Sequence, residues 1–328
     1  MLRAFLIAAL AALTLAGSSP ARPAGGNPVA FVSAEDVDRV VAVELGTGRV
    51  LARIPVARGP HNVASSNDLR FLLVTSPPAG RVTLIDGFTR RVVRSFGGFG
   101  SPHDVEFGPG SDALGHSRYA YVTDERRGEL AVLDLRRLRV LRRVPVGAGP
   151  HDLAVSPDGT RVWVTHGPTA RAVTVVDTSR PTRARVAAHV PAPGTHDIAF
   201  SRDGLRVWVT FWDSGAVGRL EAASRRLLFR RQVGRLTHHV QVDRITGELW
   251  VTDHHSGSTF LVSQATGLPL RTLVGCPGAH HVAFVGAASV IVACHDADAL
   301  AVYHRRTWRR ILVPVGAGPH GVAVAIVP

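Results

Sequence analysis

Apolar and polar positions follow one another along the chain in a pattern of short strands that recurs many times. One typical unit has a turn at Ser156–Gly159, then a β-branched and aromatic strand, Arg161–Thr165. A third strand ends at an acidic residue, as in Val173–Asp177, and the fourth alternates arginine with apolar residues, as in Arg139–Val146. Continuous apolar strands are typical of buried positions, whereas alternation marks a strand with one solvated face. Each unit therefore predicts a small antiparallel sheet whose arginine-rich fourth strand is outermost.

A histidine precedes or opens the first strand of each unit, as in Gly149-Pro-His151-Asp-Leu-Ala-Val. The seven histidines at this position are His61, His103, His151, His196, His238, His280 and His320. They recur at intervals of 40 to 48 residues, close to the ~40–45 residues of a four-stranded propeller blade. The repeat therefore predicts an all-β fold, a seven-bladed β-propeller with four-stranded blades.

The two ends of the chain complement each other. The first unit begins at Pro28 and lacks a histidine strand, whereas the strand His320–Val327 has no successors. Pairing this C-terminal strand with the N-terminal strands would complete one blade and close the ring without an exposed sheet edge. We expect a signal peptide over residues 1–21, a linker over 22–28 and the propeller over 29–328.

The N-terminal segment has the layout of a secretory signal peptide. Arg3 precedes an apolar run from Ala4 to Ala16, and Ser19-x-Ala21 forms a cleavage pattern. The run is shorter than the ~20 residues that span a bilayer, and no later stretch is long and apolar enough to do so. We expect a periplasmic or secreted protein that is not an integral membrane protein.

Three phrases carry a family resemblance: His-Asp-Leu-Ala-Val-Ser-Pro-Asp-Gly at 151–159, Val-Trp-Val-Thr at 162–165 and Val-Thr-Val-Val-Asp at 173–177. They resemble the YVTN-repeat family of β-propellers. That family is similar to the haem-binding propeller of cytochrome cd1-type nitrite reductase and, more distantly, to the propeller of nitrous oxide reductase. The resemblance implies the propeller fold over the whole mature chain and implies little about activity.

Propeller geometry predicts where the histidines lie. The first strand of each blade lines the central channel, so the seven repeated histidines should form a ring around one mouth. The loop between the second and third strands opens on the same face because adjacent strands are antiparallel. We expect this loop to bring further side chains to the mouth: Asp124, Trp212, Asp213, His254, His255 and His295.

A ring of imidazoles is suited to a transition metal. Imidazole binds zinc, copper, iron and nickel, and cysteine shifts the preference toward copper or zinc. The predicted metal ligands are His61, His103, His151, His196, His238, His280, His320, His254, His255 and His295, with Trp212, Asp213 and Asp124 as predicted cofactor contacts. Copper is the favoured metal because Cys276 and Cys294 flank this region, although an oxidising compartment favours a disulfide between them. The aspartates that follow the histidines should serve neighbouring histidines, since adjacent strand residues point to opposite faces.

Other functions remain open at this point. A haem-type cofactor could bind with one histidine as axial ligand and Trp212 stacked on the macrocycle, or the propeller could be a cofactor-free scaffold for a protein or cell-surface ligand. Covalent c-type haem is excluded because the chain has no Cys-x-x-Cys-His. A metal centre could serve a redox enzyme, a lyase or a metal carrier. The expected ligand is a small molecule or metal ion at the mouth, and the expected protein partner is a periplasmic redox or metal-delivery protein.

The charge changes this picture little. The chain has 38 Lys+Arg against 25 Asp+Glu, a formal net charge of +13, and every one of these basic residues is arginine. The arginines are scattered over the predicted outer strands, as at Arg90–Arg91 and Arg225–Arg226, without a continuous stripe or stacking aromatics. We therefore expect no nucleic-acid partner. Three further histidines, His116, His189 and His304, are expected on the surface away from the mouth.

Overall fold

The computed structural model of the protein describes residues 26–110 and 116–327. The predicted signal peptide and most of the predicted linker lie outside the described residues. The described strands, in chain order, are β1 (Asn27–Ala34), β2 (Arg39–Glu44), β3 (Arg49–Pro55), β4 (Val63–Ser65), β5 (Phe71–Ser76), β6 (Arg81–Asp86), β7 (Arg91–Phe96), β8 (Pro102–Phe107), β9 (Tyr119–Asp124), β10 (Glu129–Asp134), β11 (Arg139–Pro145), β12 (Leu153–Val155), β13 (Arg161–Val164), β14 (Ala172–Asp177), β15 (Arg185–Pro191), β16 (Ile198–Phe200), β17 (Arg206–Phe211), β18 (Ala216–Glu221), β19 (Leu227–Gln232), β20 (Thr237–Val242), β21 (Leu249–Asp253), β22 (Ser258–Val262), β23 (Pro269–Leu273), β24 (Ala279–Val285), β25 (Ser289–Cys294), β26 (Ala299–His304), β27 (Arg310–Pro314) and β28 (Pro319–Val327). The short 3-10 helices are Glu35–Val37, Pro77–Ala79, Pro181–Arg183, Trp212–Ser214 and His295–Ala297.

These strands form seven four-stranded antiparallel sheets, as the repeat predicts. From the channel outwards, blade 1 is β28-β1-β2-β3, and blades 2 to 7 take the following strands in groups of four, beginning at β4, β8, β12, β16, β20 and β24. The first strand of each blade packs against the first strands of both neighbours, all the way round from β4 to β28 and back. The molecule is therefore a seven-bladed β-propeller.

The ring closes where the sequence predicts. Strand β28 pairs antiparallel with β1, from Asn27 opposite Val327 to Ala34 opposite Pro319. The last strand of the chain thus supplies the innermost strand of the first blade. Closure of this kind leaves no unpaired inner edge between the two ends of the chain.

The packing between blades follows from the apolar second and third strands. Trp163, Trp208 and Trp250 occupy the same position of three successive blades and are almost fully buried. Trp163, for example, packs edge-to-face against Phe200 of the next blade, with their ring centroids 6.0 Å apart. The outermost strands are exposed by contrast, as in β7, where four consecutive residues from Arg91 are exposed. In the described ranges, no helix is long and apolar enough to cross a membrane.

Cys276 and Cys294 form a disulfide that ties the loop before β24 to the end of β25. Both residues are completely buried. The structure thus confirms the disulfide interpretation, and copper ligation by free thiolates at these positions is wrong because neither sulfur retains a thiol. The argument that cysteine favours copper is removed with it.

Candidate functional site

The seven repeated histidines form a closed ring at one mouth of the channel. Each imidazole contacts the next, with neighbouring ring centroids 3.7–4.9 Å apart, from His61 round to His320 and back to His61. Six of them, all but His280, line a cavity of about 210 Å³ together with Asp152, Trp212 and His281. The sequence repeat is thus a spatial cluster, in which residues 40 or more positions apart in the chain lie side by side.

In five of the seven blades, a hydroxyl group at the end of the second strand fixes the main chain of this ring. Thr75 accepts a hydrogen bond from the N–H of Asn62 in its own blade (3.0 Å) and donates one to the carbonyl of His103 in the next blade (2.8 Å). The same two hydrogen bonds are made by Ser33, Thr123, Thr165 and Thr210. One side chain therefore sets the position of two inner strands, and we call it the hydroxyl bridge.

The Val-Thr pair that carries the hydroxyl bridge is visible in most repeats, but the sequence pattern alone does not predict the hydrogen bonds that the threonine makes. Blade 7 is the exception, since Ala293 stands where the other blades have serine or threonine. In blade 6, Thr252 accepts the N–H of His239 at 3.0 Å. The blades that carry His238 and His280 thus differ from the rest in how their inner strands are tied.

In three blades, one loop residue reaches the ring from two places after the position of the hydroxyl bridge. Trp212 is 4.7 Å from His196, and His254 and His295 are 4.7 Å and 4.9 Å from His280, between ring centroids. The residue three places after it points away, since Asp213 and His255 are exposed. The sequence repeat predicts both sets at the mouth, because it does not determine side-chain direction in this loop.

Asp124 has a different environment from the one predicted for a cofactor contact. It lies one place after the bridge, is fully buried, and accepts hydrogen bonds from the N–H groups of Gly100 and Ser101. Arg127 and Arg143 lie 3.6 Å from its carboxylate. Its described contacts therefore hold the loop that leads into β8.

The residues that follow the ring histidines line a second, larger chamber of about 380 Å³. Its polar lining includes Asn62, Asp104, Asp152, Asp197, His239 and His281. Loops at the far ends of the innermost strands, such as 243–245, also line it. Asp152 and His281 border both cavities, so the chamber adjoins the small cavity at the mouth.

The aspartates only partly follow the prediction that they serve neighbouring histidines. Asp197 contacts Nδ1 of His239 in the next blade at 2.5 Å, as expected. Asp152, however, contacts its own His151 at 2.9 Å as well as the neighbouring His103 at 3.5 Å. Strand alternation does not apply at this position because β12 begins only at Leu153. Asp104 contacts no ring histidine in the described hydrogen bonds and instead accepts from Asn62 and from the Leu153 N–H.

Burial keeps most of the ring uncharged. Desolvation, with repulsion from neighbouring imidazoles, lowers the pKa of His61 and of His196 to about 3 and that of His280 to about 2. The same causes hold the pKa values of His238 and His320 well below 6.5. On the other side of the ring, burial by itself would lower the pKa of His151, but the Asp152 carboxylate, helped by Glu125 and Asp197, raises it.

Three groups among the described residues have potential ligand atoms within 4.8 Å of one another. They are His238, His280 and His320; His254, His280 and His295; and His103, His151 and Asp152. The Nδ1 atoms of His238, His280 and His320 are buried and have no hydrogen-bond partner among the described residues. Unpartnered buried nitrogens of this kind are rare, because each costs about 1–3 kcal/mol of desolvation.

Fold and site together define the protein as a seven-bladed β-propeller with a histidine ring at one mouth of its channel. No family model matches the chain, so membership of the YVTN-repeat family stays a prediction. The seven-bladed beta-propeller protein Rv1057 of Mycobacterium tuberculosis is 29% identical over 155 residues, which cover 46% of this chain and 39% of that protein. The chain thus matches well under half the length of this curated relative.

Two solved structures share the fold. The periplasmic gluconolactonase PpgL of Pseudomonas aeruginosa superposes with a TM-score of 0.73 at 20% identity, covering 92% of this chain and 99% of that one. The dihydro-heme d1 dehydrogenase NirN, in complex with DHE, superposes with a TM-score of 0.64 at 16% identity, covering 90% of this chain and 74% of NirN. At these identities the likeness shows the propeller architecture alone.

The hydroxyl bridge predicts a specific cost of removing one hydroxyl. Thr210→Val keeps the side-chain volume but leaves the N–H of Asp197 without its partner and removes one of two donors to the His238 carbonyl. We expect a loss of about 2 kcal/mol in the free energy of unfolding, measured by urea denaturation. Thr210→Ser keeps the hydroxyl and should cost less than about 1 kcal/mol. Equal losses in the two variants would contradict the bridge.

The lowered pKa values predict how stability depends on pH in the metal-free protein. In the unfolded chain imidazoles take up protons near pH 6.5, whereas the folded-state pKa of His196 is about 3. The unfolded state therefore binds more protons between these values, and stability, constant above pH 6.5 as far as this group is concerned, is lost as pH falls toward 3. Between pH 6 and 5, His196→Asn should reduce the slope by up to about 1.4 kcal/mol per pH unit, measured by urea denaturation. An unchanged slope would show that His196 is protonated in the folded state.

Proposed function

We propose that this protein is an exported seven-bladed propeller that binds a divalent transition-metal ion through the histidine ring. The observation that carries the proposal is the group His238, His280 and His320, whose ligand atoms converge within 4.8 Å. The three side chains are 5–8% exposed, and their Nδ1 atoms have no partner among the described residues. A metal ion would supply the missing partner for such nitrogens.

The protonation state of these imidazoles also supports a metal. Metal ions bind the neutral form of histidine, so a ligand must lose its proton before or during binding. Burial lowers the pKa of His280 to about 2 and holds those of His238 and His320 well below 6.5. The ligand set is therefore already deprotonated at neutral pH, and binding releases no proton from it.

The donor set favours zinc over the copper that the sequence suggested. Three imidazoles with an open fourth position are a common arrangement for Zn²⁺, whereas thiolate ligands would be expected to favour copper(I). Cys276 and Cys294 are joined to each other, so they add no thiolate. Zn²⁺ is our first candidate, with copper(II) and iron(II) as alternatives. The bound ion would act as a Lewis acid at its open position.

Export remains part of the proposal. The disulfide between Cys276 and Cys294 supports it, because disulfides persist in oxidising compartments such as the periplasm or the extracellular space. A protein in that location would meet metal ions or small molecules at the mouth of its channel.

A haem-type cofactor is the second candidate. It is favoured by Trp212, which lies beside His196 and His238, and by the fold likeness to NirN, which is described in complex with DHE. The cavity inside the ring, about 210 Å³, is smaller than the ~300–1,000 Å³ typical of enclosed ligand sites. A macrocycle would therefore have to lie over the mouth or in the larger chamber of about 380 Å³, whereas a single metal ion fits within the ring itself.

Metal content tests the proposal. Protein without a histidine tag, loaded with Zn²⁺ and dialysed, is expected to retain about one equivalent by elemental analysis. His320→Ala should weaken Zn²⁺ binding by at least about 100-fold, since it removes one of three ligands, whereas His304→Ala on the exposed end of β26 should not change it.

Two outcomes would overturn this assignment. Retention of no transition metal by the wild-type protein, after reconstitution with zinc, copper and iron salts, would leave a cofactor-free scaffold. A Soret band that forms on haem addition and is lost in His196→Ala would show that the mouth binds a haem-type cofactor instead of a single metal ion. Circular dichroism and thermal melting of each variant would exclude unfolding as the cause.

A further inference from the structure

His280 is shared by two groups of potential ligands. It belongs to the buried group with His238 and His320 and to a second group with His254 and His295. Its ring centroid lies 4.2 Å and 4.4 Å from His238 and His320, and 4.7 Å and 4.9 Å from His254 and His295. The two groups therefore meet at one imidazole.

The two groups differ in their access to solvent. The side chain of His295 is 34% exposed and that of His254 is half-buried, whereas His238 and His320 are buried. Solvent therefore reaches His254 and His295 more readily than the buried group. We call His254, His280 and His295 the outer site, and His238, His280 and His320 the inner site.

The histidines of the two sites differ in how their Nδ1 atoms are hydrogen-bonded. Nδ1 of His295 is 3.1 Å from the carboxylate of Asp296, a contact that orients the ring and leaves Nε2 available. Nδ1 of His280 has no hydrogen-bond partner in the described part of the chain. His280 can therefore turn between the two groups without breaking a hydrogen bond of that nitrogen.

Resting on the proposed metal binding, we infer that the outer site captures the ion and passes it to the inner site through the shared ligand His280. The transfer is a ligand exchange at constant oxidation state. Bonds from the metal to His254 and His295 break, bonds to His238 and His320 form, and His280 stays bound throughout. Water ligands return to solvent, and no electron is transferred, because the ion keeps its oxidation state and each histidine binds it through one nitrogen of a neutral imidazole.

The geometry also restricts how many ions the pair of sites holds. A neutral imidazole binds a metal through one nitrogen, so His280 serves one ion at a time. The two sites are then alternative positions of a single ion. A tight stoichiometry of one per chain is expected, with the loading rate set by the outer site and the affinity by the inner site.

Loading kinetics test the inference, with Co²⁺ as the probe because its visible absorption reports imidazole ligation. The variant His254→Ala/His295→Ala is expected to retain one tight equivalent while its loading rate falls by at least about tenfold. The variant His238→Ala/His320→Ala should load rapidly but bind at least about 100-fold more weakly. His304→Ala is the matched control, since it removes an exposed histidine outside both sites.

Each other outcome contradicts a defined part of the account. Loading of the outer-site variant at the wild-type rate would overturn the transfer and leave metal binding intact. Loss of tight binding in the outer-site variant alone would make the outer site the resting position and would also overturn it. No Co²⁺ binding by the folded wild-type protein would overturn the proposed function itself. Circular dichroism of both double variants separates these results from unfolding.

Discussion

The hydroxyl bridge between neighbouring blades is the interaction on which the mouth of this propeller depends. One side chain accepts the N–H that follows a ring histidine in its own blade and donates to the carbonyl of the next ring histidine, as Thr165 does for Asp152 and His196. The bridge thus hydrogen-bonds two buried main-chain groups at each of the five junctions that have it. The main chain that carries the imidazoles is therefore hydrogen-bonded to hydroxyl groups of its own blade and of the preceding blade. This role of the threonine explains why Val-Thr recurs together with the histidine. In blade 7, where Ala293 lacks the hydroxyl, the disulfide ties the same loop.

The sequence predicts the architecture because a repeat of constant length places equivalent residues at equivalent points of a ring. The blade number, the closure by β28 and the seven-histidine ring all follow from that rule. Side-chain direction in the loops does not, because it depends on how the chain turns after the bridge. Trp212 turns toward the ring, whereas its neighbour Asp213 is exposed. The contacts of Asp152 with three histidines were also beyond prediction, since they depend on β12 beginning after it.

The charged side chains and the histidine ring occupy different parts of this molecule. The net charge of +13 comes from arginines, many of them on exposed outer strands, whereas the ring consists of imidazoles that burial keeps largely neutral. Burial lowers the pKa of His280 to about 2 and also leaves its Nδ1 atom without a hydrogen-bond partner among the described residues. A group that neither charges nor finds a hydrogen-bond partner is costly to bury. A bound metal ion would offset that cost, which links the fold to the proposed function.

The most direct test of the central claim is anomalous diffraction at the zinc edge from crystals of the metal-loaded protein. The account predicts a peak at one mouth of the channel, within about 2.0–2.1 Å of one nitrogen each of His238, His280 and His320. A peak elsewhere on the surface, or a ring that stays free of metal in crystals grown with excess Zn²⁺, would contradict it.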